Sequence, residues 1–230
     1  MLNIRILCPL LWAILFAQVV MAFPGNKLKS LYKEGISYRH AGELDAAKKC
    51  FKEILRRDSG YASAYLQLAE IAVLEEIYPE SITWYREYLQ LEDDQPAAWY
   101  AIGVLYFNTK DFRAAVHAFE TATKKGRRQD ADYCLTIGTA YLHLKDMVKG
   151  IQHLQTCLEL RQDDTRALQA LAHHYYLAGE YVAAVTYWER LLRIQPANAF
   201  AMFLLGKSYI GKGEIAKGEA LCDKALQGVQ

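Results

Sequence analysis

The sequence lacks the short signatures through which most enzymes handle nucleotides, metals or acyl groups. Its 230 residues hold no glycine-rich phosphate loop, no HExxH, no GxSxG and no EF-hand spacing. No nucleotide cradle, zinc-protease helix or nucleophile elbow is therefore expected, nor any cofactor. Excess charge of one sign is also missing, with 27 Lys and Arg against 26 Asp and Glu. That balance gives no general attraction to nucleic acid or to an anionic surface. The five cysteines include no CxxC pair, and none of the four asparagines stands in an N-x-Ser/Thr sequon. The final Gln227-Gly228-Val229-Gln230 is not an ER-retention signal. The last two absences favour a bacterial periplasm over a eukaryotic secretory compartment.

Long hydrophobic runs are scarce, and the one that stands out lies at the start. Arg5 precedes an apolar stretch from Ile6 to Val20, broken only by Gln18. Val20-Met21-Ala22 then places small residues at the −3 and −1 positions of a cleavage site. This pattern predicts a secretory leader over 1–22, cleaved after Ala22, and a short linker over 23–27. The alternative is an uncleaved inner-membrane anchor over 6–23, near the lower length limit for a spanning helix. Cys8 has no lipobox before it. Export would permit disulfides, and Cys134 with Cys157 is the one pair worth considering. Cys50 and Cys222 read as small core hydrophobes.

What the chain does have is a period. A small residue recurs as Gly35, Ala69, Gly103, Gly138, Ala172 and Gly206. A second recurs twelve places later as Ala47, Ser81, Ala115, Gly150, Ala184 and Gly218. An aromatic keeps the same beat as Tyr38, Tyr106, Tyr141, Tyr175 and Tyr209, with Ala72 in the second place. The repeats start at Leu28, Ala62, Pro96, Ala131, Thr165 and Ala199. Within each, positions 4, 7, 8 and 11 fall on one helical stripe and 20, 24 and 27 on another. Turn signals at positions 15 and 16, such as Gly42-Glu43, Lys110-Asp111 and Gly179-Glu180, separate them. Each repeat is read as helix A, a turn and helix B. The small residues at 8 and 20 let the two helices approach closely. Gly150, in place of alanine, is expected to cost helix B about 1 kcal/mol. One extra residue falls in the loop holding Lys124, Lys125, Gly126, Arg127 and Arg128.

These positions resemble the tetratricopeptide repeat family, whose pattern runs Trp-4, Leu-7, Gly-8, Tyr-11, Ala-20, Phe-24, Ala-27, Pro-32. The third repeat follows it with Trp99, Ile102, Gly103, Tyr106, Ala115, Phe119 and Ala122. The resemblance implies an all-α, right-handed α-solenoid of six repeats over residues 28–230, read as one continuous array. It also implies a non-enzymatic scaffold that holds a protein partner.

In that family the A helices line a concave groove, reached by positions 2, 5, 6, 9, 12 and 13. The resemblance thereby nominates Tyr32, Ile36 and Arg39 from the first repeat, and Leu66, Gln67, Glu70 and Val73 from the second. It adds Tyr100, Val104, Phe107 and Asn108 from the third, and Leu135, Thr139, Leu142 and His143 from the fourth. Gln169, His173 and Tyr176 of the fifth and Phe203 and Lys207 of the sixth complete the set. Such a strip suits an amphipathic helix or an extended peptide. The implied setting is cell-envelope assembly or secretion, or an anchored scaffold, or the regulatory subunit of an envelope enzyme. The residue set that clamps chaperone C-termini is absent.

Three further features read as structural. His173 and His174 point about 100° apart on a helix and cannot share a metal, so none is expected. The Lys124–Arg128 run is a solvated loop rather than a nucleic-acid patch. Leu221 and Leu226 form a sparsely covered edge on the sixth repeat, a possible site of self-association.

Overall fold

The A–B turn shows how local backbone chemistry builds the array. Position 15 has positive φ in all six repeats: Gly42, Glu76, Lys110, Lys145, Gly179 and Gly213. A left-handed residue at that point reverses the chain and ends helix A. The following amide then donates back to the carbonyl of position 11 at 2.8–3.0 Å, from Glu43 onto Tyr38 through Glu214 onto Tyr209. The second repeat makes the same turn at Glu76, although Glu75-Glu76-Ile77 carries no glycine to announce it.

The protein, seen in a computed structural model, is described over residues 24–227, with side chains from Lys27. The expected leader, its cleavage site, the alternative anchor and Cys8 lie outside the described residues. Twelve helices follow in six pairs: α1 Pro24–His40 and α2 Leu44–Arg57; α3 Ala62–Leu74 and α4 Tyr78–Leu91; α5 Pro96–Asn108 and α6 Phe112–Lys124. The remaining pairs are α7 Ala131–His143 and α8 Met147–Leu160; α9 Thr165–Leu177 and α10 Tyr181–Ile194; α11 Ala199–Gly211 and α12 Ile215–Gln227. No strand occurs among the described residues. The fold class is all-α, as the spacing predicts. Residues 24–27, expected as linker, extend the first helix. None of the described helices is long and apolar enough to cross a membrane.

The uninterrupted period suggests one array, but the chain divides into two compact units between Asp94 and Gln95. The division falls in the loop after α4, where Glu92, Asp93 and Asp94 are all exposed. Three adjacent carboxylates keep that loop in water rather than packed. The first unit centres on Phe51, Ile54, Leu68 and Ile71, all essentially inaccessible. The second is built around Phe119, Tyr133, Ile137, Leu154, Leu168 and Trp188.

Positions 8 and 20 meet in two ways. In the first and third repeats glycine makes room for an aromatic ring: a Cβ on Gly35 or Gly103 would lie 2.8 Å from Phe51 or Phe119. In the fourth and sixth repeats both positions are glycine and the backbones themselves close up. A Cβ on Gly218 would lie 2.5 Å from the Gly206 carbonyl oxygen. Gly150 is therefore less a defect in helix B than a close-approach site, although its nearest obstacle is the flexible end of Leu142 at 2.5 Å.

The extra residue of the third repeat has a physical reason as well. Helices α2, α4, α8 and α10 end directly on an extended or near-extended residue, such as Asp58 or Arg161. Helix α6 instead ends through Gly126 at φ 98°, and the Arg127 amide donates to the Ala122 carbonyl at 2.9 Å. That left-handed cap needs one more residue than an extended exit.

Candidate protein-binding groove

In the second unit, helices α5, α7, α9 and α11 bring one face of each repeat together around a cavity of about 490 Å³. Its walls are Phe107, Leu135, Thr136, Thr139, Arg166, Gln169, Ala170, His173 and Phe200. Seven of these nine stand at groove positions read from the sequence: Phe107, Leu135, Thr139, Gln169 and His173, together with Thr136 and Arg166 at positions 6 and 2 of their repeats. Ala170 and Phe200 were missed, although positions 6 and 2 of their repeats point the same way. Phe200 is 55% exposed and rests edge-on against the buried Trp188 ring at 6.2 Å. His173 opens into the cavity while His174 packs on Tyr175.

One rim of the cavity is held rigidly by charge. Asp164, with a side chain only 3% exposed, caps α9 by accepting from the Arg166 and Ala167 amides. The guanidinium of Arg166 donates to Asp132 at 3.1 Å and to Asp164 at 3.3 Å. Arg161 donates to the same two carboxylates at 3.1 and 3.0 Å. Hydrogen bonds from Arg161 and Arg166 hold the Asp132 carboxyl below its ordinary range. Burial pushes the Asp164 carboxyl up, but the Ala167 amide and Arg166 outweigh it and leave it lowered. The Arg166 side chain thereby presents a fixed edge to the groove instead of a mobile charge.

Other nominated residues serve packing. The Tyr100 ring is covered by the Arg127 guanidinium at 3.5 Å and flanked by Phe119 and Tyr133. Burial pushes its hydroxyl pKa up. Arg127, placed by the Gly126 cap, is thus a cation–π partner within the fold. Leu135 is 7% exposed and shared with the core, while Val104 and Leu142 are half-buried against it. The His143 ring stacks on Phe112 at 4.1 Å, and Tyr176 packs on Tyr181. Asn108, Phe203 and Lys207 remain exposed.

The first unit uses its nominated residues differently. Arg39 of α1 forms an ion pair with Glu70 of α3, and the Gln67 amide donates to the same carboxylate at 3.4 Å. Tyr32 packs on Phe51 and Tyr61, both at 5.6 Å. Ile36 and Leu66 are half-buried, and Val73 is exposed. The charged members of this set join the two repeats to each other. A smaller cleft of about 310 Å³ lies beside them, lined by Lys29, Ser30, Tyr32, Lys33 and Tyr61.

Cys134 and Cys157 are free thiols without solvent access, and Cys50 is buried too. Burial pushes the Cys157 thiol up to about 11. No group of three or more potential metal ligands occurs among the described residues.

The Tetratricopeptide repeat family model matches residues 32–98, 100–165 and 170–229. The chain is 25% identical over 183 residues to the protein CTR9 homolog of Arabidopsis thaliana, which covers 76% of this chain. It spans only 17% of that relative's length. Among solved structures it is similar to YrrB, a TPR protein with an unusual peptide-binding site. That match has 22% identity and a TM-score of 0.67, covering 77% of this chain and 91% of YrrB. It is also similar to PilW, a type IV pilus biogenesis factor, at 17% identity and a TM-score of 0.60. The coverage there is 84% of this chain and 90% of PilW. At these identities the solved structures speak for the fold alone.

Proposed function

Because the chain belongs to the tetratricopeptide repeat family, we propose that it is a non-catalytic adaptor that holds a peptide or helix of a partner protein in the groove of its second unit. Proteins of this family bind protein partners and are typically scaffolds without catalysis of their own. The observation that carries the reading is the cavity where Phe107, Leu135, Phe200 and His173 converge. It combines an exposed ring, an aliphatic floor and a few polar groups that fix orientation. An apolar anchor side chain would sit on Phe107 and Phe200, while Gln169, His173 and the fixed edge of Arg166 would read the backbone or polar groups beside it.

The setting is argued from the sequence. The apolar run over 6–20 with its cleavage site supports export, and hence an envelope role as a periplasmic or inner-membrane-anchored adaptor. The likeness to PilW is of fold, and pilus biogenesis is an analogy within that proposal.

Panning a random peptide library against the full chain and against Phe107→Ala/Phe200→Ala tests the function. The proposal expects selected peptides to share an apolar anchor and to lose at least about tenfold in affinity for the variant, whose helix content by circular dichroism stays unchanged. Peptides that bind both proteins equally would sink the groove assignment.

A further inference from the structure

The first acidic residue of the chain is Glu34, and three lysines of α1, Lys27, Lys29 and Lys33, come before it. Lys29 and Lys33 are four residues apart and so share one face of the helix. With Tyr32 they hold positions 2, 5 and 6 of the first repeat. Those positions line the cavity of the second unit at Arg166, Gln169 and Ala170. In the first unit they form the cleft of about 310 Å³ together with Ser30 and Tyr61, and none of its walls is a carboxylate.

The aromatic wall of the cleft is fixed by packing. The Tyr32 ring meets the inaccessible Phe51 edge-on and tilts against Tyr61, each at 5.6 Å. Burial pushes the Tyr32 hydroxyl pKa up, so this group stays a proton donor.

The acidic groups near the cleft are engaged or turned elsewhere. Glu70 acts on the Tyr32 hydroxyl, but it is ion-paired with Arg39 and accepts from the Gln67 amide. Asp58, in the loop before Tyr61, accepts from the Gly60 amide at 3.0 Å. Glu34 stands about 100° around the helix from Lys33 and acts on the Cys50 thiol of α2. Lys29 and Lys33 have no ion pair among the described residues. The cleft therefore offers two unpaired ammoniums and three hydroxyl groups, and no negative charge of its own.

From this we infer that the first unit docks an acidic segment of a protein, with side-chain carboxylates on Lys29 and Lys33 and the segment's backbone against Tyr32 and Tyr61. Opposite charge on the partner is what such a surface complements. Tyrosine gives a protein interface both contact area and a polar handle. Two ammoniums on separate flexible stems suit carboxylates spaced along a chain, rather than one group gripped by a planar fork. None of the walls is a large exposed aliphatic side chain of the kind that enters a bilayer. The cleft shares no residue with the groove of the second unit, so each assignment stands or falls alone.

Fluorescence anisotropy of acetylated, amidated oligoglutamate and oligoglutamine peptides with the full chain tests this. Blocked termini leave side chains as the only carboxylates. Lys29→Gln/Lys33→Gln removes the two cations, and Tyr61→Phe removes one hydroxyl while keeping its ring. Lys124→Gln/Lys224→Gln deletes the same charge from exposed positions of the second unit and serves as the control. Helix content by circular dichroism should be unchanged in all three. The expected result is binding of oligoglutamate and not of oligoglutamine, weakened by added salt. The Lys29/Lys33 variant should bind at least about tenfold more weakly, Tyr61→Phe about threefold more weakly, and the control as wild type. No oligoglutamate binding, as when the same lysines attach the chain to phosphatidylglycerol vesicles instead, would overturn the inference. Equal binding of the two peptides, or an equal loss in the control variant, would overturn it as well.

Discussion

The hydroxyl of Tyr141 donates a hydrogen bond of 2.5 Å to the carboxylate of Glu120, which lies in helix B of the preceding repeat. Tyr209 makes the same bond to Glu189. The two tyrosines occupy position 11 and the two glutamates position 25, so the contact is a repeat-to-repeat latch. Its sequence separation is 21 residues in the first case and 20 in the second. The one-residue insertion lies between Glu120 and Tyr141, and the left-handed cap at Gly126 takes it up without moving the latch.

Tyr141→Phe and Tyr209→Phe should each lower stability by about 1 kcal/mol, because a part-buried carboxylate loses its donor. The two sites are far apart, so the double variant should show the sum. Urea unfolding checks both statements.

Position 15 offers the opposite sign. Glu76, Lys110 and Lys145 hold φ values of 60–64° that a side chain tolerates poorly. Replacing any of them with glycine should stabilise the chain by about 1 kcal/mol, and Gly179→Ala should cost a similar amount. Thermal melts of the single variants measure this directly.

The two glycine pairs should respond unequally to added methyl groups. A Cβ at Gly218 meets backbone, the Gly206 carbonyl oxygen at 2.5 Å and the Ile210 amide nitrogen at 2.9 Å. Gly218→Ala should therefore destabilise by about 1–3 kcal/mol despite the better helix propensity of alanine. Gly150→Ala meets chiefly the Leu142 tip, which can turn away, and should be at least about 1 kcal/mol milder. Parallel denaturant titrations would separate the two.

His153 stacks face to face with Tyr141 at 5.7 Å, and burial lowers its pKa, opposed by the charge of Glu120. The unfolded chain thus takes up this proton before the folded one does. The stabilising contribution is complete above the ordinary histidine range of about 6.5 and is lost as pH falls through that range towards the lower folded value. His153→Phe should flatten the dependence of melting temperature on pH in that window while keeping the stack.

Thiol labelling should follow burial. Burial raises the thiol pKa of Cys134, Cys157 and Cys222 alike, but Cys222 is partly exposed, whereas Cys134 and Cys157 have no solvent access. Iodoacetamide should modify Cys222 first and reach the other two only on unfolding. Mass spectrometry of the native protein reads the order.

The register, the helix pairs and five of the six turns were legible because they depend on local spacing. Gly42 and Gly179 announce a left-handed residue, whereas Glu76 adopts the same conformation with no such mark. The surroundings of the groove were harder to read. Position rules put Tyr100 and Phe107 on one face, but only the fold shows Arg127 lying over the first while the second faces the cavity. Arg39 and Glu70 look like partner-binding groups until their mutual ion pair is seen. The division at Asp94 leaves the period intact, since three exposed carboxylates change packing without changing spacing.

The central claim is that the second unit holds its partner in the groove. Amide exchange of the full chain, with and without a peptide selected by panning, tests it most directly. The account predicts protection concentrated in α7, α9 and the start of α11, around Leu135, Thr139, Gln169, His173 and Phe200. Protection in α6, α8 or α10, or at the A–B turns instead, would contradict it.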